Sequence, residues 1–72
     1  MMKLDLHGFP HSEVINICHE FINQHWDTSQ ELHIITGHSD VMKEMVKNVL
    51  REYDVVYHIG DFKNPGYIKV WV

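Results

Sequence analysis

The chain is 72 residues long, with a formal net charge of −4, 44% hydrophobic and 22% charged residues. That length suits one domain, residues 1–72 as a single unit, and leaves little volume for a large buried cofactor; the composition is too apolar for disorder, and no stretch suits a bilayer span. The lone cysteine, Cys18, excludes an internal disulfide and zinc sites built on paired cysteines, while the acidic balance argues against sequence-blind coating of nucleic acid and leaves room for a local basic patch.

The opening residues carry no basic, apolar, small-residue signal, so the cytoplasm is the expected location. Lys3-Leu4-Asp5-Leu6-His7 alternates apolar and polar and predicts a strand, ended by Gly8-Phe9-Pro10. A helix is predicted from His11 or Ser12 to His25 or Trp26, with Ser12 as its N-cap and Val14, Cys18, Phe21, Ile22 and His25 as its apolar stripe, widened by Ile15 and Ile17. After a polar turn, Leu32-His33-Ile34-Ile35 reads as a second strand. A second helix follows, capped by Ser39 or Asp40, running to Tyr53 and burying Met42, Met45, Val46, Val49, Leu50 and Tyr53. Val55-Val56-Tyr57-His58-Ile59 is β-branched and predicts a third strand, and residues 67–72 predict a fourth beyond a loop rich in glycine, proline and asparagine. The order βαβαββ defines an α/β fold: a four-stranded mixed sheet with two helices, its first two crossovers parallel and its last pair an antiparallel hairpin.

Alternation places Asp5 and His7 on one side of the first strand, at its carboxyl end, with Leu4 and Leu6 turned to the core. Histidine is the common general acid or base near neutral pH, a carboxylate nearby can orient it, and Gly8 lets backbone approach closely. On the pentapeptide alone, a solvated Asp and His are the commoner outcome. Thr36-Gly37-His38-Ser39-Asp40 joins a strand to a helix N-terminus, where free N–H groups and the helix dipole favour phosphate; it equally suits a plain capped turn. Both loops lie where ligands bind beyond the carboxyl ends of parallel strands.

Lys43, Lys47 and Arg51 share one stripe of the second helix, and Lys63 and Lys69 fall on the final hairpin; the alternative is a solvated face beside Glu44 and Glu52. His7, His11, His38 and Asp5 are the residues that could hold zinc or manganese, at spacings matching no familiar motif. His19 and His33 are expected at the surface, and His25 and His58 at the core edge. Phe9, Phe62, Tyr67 and Trp71 could stack bases if exposed, with Trp71 sharing a strand face with Lys69. Trp26 is expected at the core edge, and Cys18 buried and inert.

Taken together these residues resemble the Smr (small MutS-related) domain family. Leu4-Asp5-Leu6-His7-Gly8 matches the family's LDLHG motif at every position, Glu13 falls where the family has a glutamate near the start of its first helix, and Ile34-Ile35-Thr36-Gly37-His38 matches its second strand and the first half of TGxG. Asn64-Pro65-Gly66 resembles its third, glycine-rich loop. Ser39 stands where the second TGxG glycine would fall. The resemblance covers essentially the whole chain, near the minimal length of the domain, and implies a βαβαββ sandwich similar to the C-terminal domain of bacterial translation initiation factor three.

It further implies a nucleic-acid-binding endonuclease acting on RNA or on structured or single-stranded DNA, by phosphodiester hydrolysis or 2′-hydroxyl transesterification. By the resemblance Asp5 and His7 would be the catalytic pair and Thr36-Gly37-His38 the facing backbone site; read from the residues, His7 would be the general base, Asp5 would orient it or coordinate a metal, and His38 would give a proton to the leaving oxygen. Gly8, Thr36, Gly37, Ser39, Asn64 and Gly66 of the loops, together with Lys43, Lys47 and Lys63 of the basic track, are the residues expected to meet the nucleic acid. The cofactor it leaves open is a divalent metal, Mg or Mn. The alternative is a non-catalytic nucleic-acid-binding module, favoured by the net charge and by Ser39.

Overall fold

A computed structural model describes residues 2–60 and 63–72. The element order is β1 (Met2–Asp5), α1 (His11–Gln24), β2 (Glu31–Ile35), α2 (Asp40–Tyr53), β3 (Val56–Ile59) and β4 (Tyr67–Trp71). The four strands form one sheet in the order β1-β2-β4-β3. β1 pairs parallel with β2, and β4 runs antiparallel to both β2 and β3. The expected α/β sandwich is therefore present, and the predicted final hairpin pairs as expected. The second crossover, however, does not make neighbours of β2 and β3, because β4 inserts between them.

Alternation explains why one face of the sheet is covered and the other is not. Leu32 and Ile34 of β2, and Ile68 and Val70 of β4, are fully buried, while the residues between them are half-buried or exposed. The buried set joins Leu6, Val14, Cys18 and Ile22 with Met42, Val46, Val49 and Leu50 in a single core. Both crossovers step in the same direction across the sheet. The right-handed rule then places both helices on one side, leaving two layers and one bare sheet face.

The helix boundaries follow from their caps. α2 starts at Asp40 because the Ser39 hydroxyl accepts the Met42 N–H at 3.1 Å, and it ends at Asp54, which adopts the left-handed conformation with φ 54°. Ser12, expected as the cap of α1, lies inside that helix. Pro10 holds the N-cap position in an extended conformation and offers no side-chain hydrogen bond. The stripe of α1 is narrower than expected, since Ile15 is exposed, and Trp26 is exposed against the Tyr53 ring rather than packed at the core edge.

Histidine placement also departs from expectation. His19 is half-buried and its Nδ1 lies 2.8 Å from the Tyr53 hydroxyl, tying α1 to α2. His58, expected at the core edge, is exposed, because its register partner is Lys69 on the bare face. No helix among the described residues is long and apolar enough to cross a membrane.

Candidate functional site

Three loops meet at one end of the sheet. β1 stops at Asp5, two residues earlier than the alternation predicts, because the Asp5 carboxylate accepts the His7 N–H at 2.9 Å and turns the chain. Leu6 still extends the pairing, donating its N–H to Ile35 O at 2.8 Å. This puts the Asp5 carboxylate on the main chain of His7, a different partner from the imidazole that the sequence suggested.

The second loop is fastened to the third by one carbonyl. Gly66 O accepts the N–H groups of both Thr36 and Gly37, each at 2.9 Å. The Thr36 hydroxyl lies 3.1 Å from Gly37 O and 3.3 Å from Gly66 O, and the residue is only 2% exposed. Thr36 therefore works inside the loop cluster, and donors facing an anion from this loop begin no earlier than His38. Gly37 has φ +68°, a conformation that glycine adopts without strain, and a Cβ there would touch the His7 ring at 3.6 Å from Cδ2. That contact places the imidazole of His7 beside Gly37, with the exposed His38 next in sequence.

The third loop is held by its own side chain. Asn64 Oδ1 accepts the Gly66 N–H at 3.2 Å. Gly60 leaves no room for a Cβ, which would collide with Asn64 O and lie 2.8 Å from the Pro65 Cα. Phe62, a candidate base-stacking residue, lies outside the described residues.

On the bare side of the sheet these loops border a groove of about 310 Å³, at the small end of the usual range for ligand sites. Four of its lining residues, Gly37, His38, Asn64 and Gly66, belong to the motifs visible in the sequence. The other four, Lys3, His33, Ile35 and Tyr67, come from the outward positions of β1, β2 and β4. Of these only Ile35 falls in a quoted motif; strand alternation could have grouped all four once the covered face was known.

The remaining expected contacts are spread more widely. Gly8 is exposed with φ +92°, and a Cβ there would meet nothing within 4 Å. Lys43 and Lys47 lie on α2, and Lys47 donates to Glu44 at 2.8 Å, which holds the Glu44 carboxyl below the usual range. Part of the lysine charge is thus answered locally. Arg51 donates to Asn48 at 2.7 Å. Lys63 is exposed in the third loop. Among the described residues, no three His, Cys, Asp or Glu side chains gather to hold a metal. Asp5, His7, His11 and His38 therefore form no such ligand set for zinc or manganese, and no dedicated Mg or Mn cage is built from them.

A two-layer α/β domain with exposed histidines and interlocked glycine loops at the carboxyl ends of its parallel strands has the form of a nucleic-acid-binding, nuclease-related module. The profile of the Smr domain matches residues 4–66, and the chain belongs to the Smr domain family. No curated protein and no solved structure matches it.

Proposed function

We propose that this domain cleaves nucleic acid, with His7 as the general base and His38 as the general acid. The observation that carries this reading is the seating of the His7 ring against Gly37, where the ends of β1 and β2 meet the third loop. On RNA, His7 takes the proton of a 2′-hydroxyl and that oxygen attacks the adjacent phosphorus. The bond from phosphorus to the 5′-oxygen breaks, His38 gives its proton to that oxygen, and a cyclic phosphate and a 5′-hydroxyl result. On DNA, water replaces the 2′-hydroxyl and the product is a phosphomonoester. Asp5 is a positioning residue, holding His7 through its N–H. The start of α2 and Lys43 offer the positive end that charge developing on the phosphate requires.

The test is cleavage of labelled single-stranded RNA, duplex DNA and branched DNA, each with divalent metal and with chelator. His7→Ala should lower the rate by about 10²–10⁴-fold, the usual contribution of a general base, with its folding intact. Full activity in that variant would remove His7 from the mechanism. One observation favours a second reading, a binding module without chemistry: Gly66 O occupies the Thr36 and Gly37 N–H groups. Retardation of a substrate without cleavage in any lane would establish that reading.

A further inference from the structure

The uncovered face of the sheet carries an ordered array of side chains. Register places Lys3 opposite His33, His33 opposite Lys69, and Lys69 opposite His58, so one row of lysines and histidines crosses all four strands. At ordinary strand spacing that row is about 14 Å long. It contains no carboxylate. Tyr67 and Trp71 flank Lys69 along β4, about 13 Å apart. Tyr67 lies parallel to the His33 ring, with centroids 5.5 Å apart and an interplanar angle of 20°, and Trp71 is 40% exposed with the His58 ring edge-on to it.

Among the described residues two carboxylates share the face, Glu31 and Asp5, and each accepts a hydrogen bond. Glu31 accepts from His33 at 2.8 Å, and Asp5 accepts the His7 N–H. The Tyr67 end of the array opens into the groove beside Gly37 and His38.

We propose that this bare sheet face is the platform for a single strand of nucleic acid. Bases lie on Trp71 and extend the Tyr67–His33 stack, and the backbone between them passes Lys69 and reaches Lys3 at the groove. The strand leads one nucleotide into the groove beside His38. The inference rests on the nucleic-acid reading above and names its substrate as unpaired. Aromatic faces accept any base, but only when the base is out of a duplex, and lysines on the same surface offer charge to the phosphate backbone.

The test uses the full chain with Trp26→Phe, which leaves Trp71 as the sole tryptophan; Trp26 lies on the helical side against Tyr53. Oligothymidylate is titrated in chelator, alongside the same oligonucleotide annealed to its complement. Trp71 emission should be quenched, the single strand should bind at least about tenfold tighter than the duplex, and Trp71→Ala, followed by mobility shift, should lose about tenfold in affinity. Lys3→Ala, at an exposed edge position, should weaken binding and reduce its salt dependence. Binding of the single strand without quenching, and undiminished in Trp71→Ala, overturns the platform while leaving the nucleic-acid reading intact. Absence of binding to any nucleic acid overturns both. Because quenching is read on the unaltered face, a poorly folded Trp71→Ala does not blunt the test.

Discussion

Cys18 shows how far burial alone governs a reactive group. It sits on the inward stripe of α1, fully enclosed by the core, and burial pushes its thiol from an ordinary value of 9.0 up to about 12. A thiol reagent should leave the native protein unlabelled and react once urea unfolds it. The linkage has a sign as well. The folded state favours the neutral thiol, so this stability is complete below the unfolded thiol's value near 9 and is lost as pH rises toward about 12. Urea midpoints at about pH 8 and about pH 10.5 should therefore fall with pH, and less steeply in Cys18→Ala. The inert, buried cysteine was legible in the periodicity of α1. The partner of the Asp5 carboxylate was not, because alternation places side chains on a face and says nothing about which nearby N–H will turn to meet them.

Among the elements, α2 tests the role of Ser39, the residue that departs from the family motif. Its hydroxyl caps the helix by accepting the Met42 N–H. Ser39→Ala should cost about 1 kcal/mol in urea denaturation, and Ser39→Gly only a few tenths. Ser39→Gly also restores the motif's second glycine with little loss of stability, so a gain in cleavage in that variant would assign the departure a catalytic cost. Strand and helix identities were legible, because periodicity is local. The strand order was not: β4 enters between β2 and β3 because Ile68 and Val70 complete the buried face against Leu32 and Tyr57, pairings set by residues far apart in sequence.

At the scale of the whole molecule, charge changes sign. With seven histidines neutral the net charge is −4; with all seven protonated it is −4 + 7 = +3. His7 and His38 stand at the loop end, and His33 and His58 on the bare face, with Lys3, Lys69, Asp5 and Glu31 as their charged neighbours there. Affinity for single-stranded nucleic acid, measured at fixed salt, should be higher at about pH 5.5 than at about pH 8. A flat profile between about pH 8 and about pH 5.5 would count against histidines lining the binding surface.

The amino-acid sequence by itself determined the element order, most of the inward residues, the caps of α2 and the three loops at the strand ends, because each rests on spacing and composition along the chain. Of the motif residues that border the groove, Gly37 and His38 were visible in that spacing, and Asn64 and Gly66 through the family resemblance. Only the tertiary structure decided that both helices pack on one side. With that choice Lys3, His33, Tyr67, Lys69 and Trp71 became a surface, whereas a helix on the other side would have made the same positions core. Alternation within a strand separates its two faces, but which positions of the four strands join into one surface depends on their order and on what packs against them.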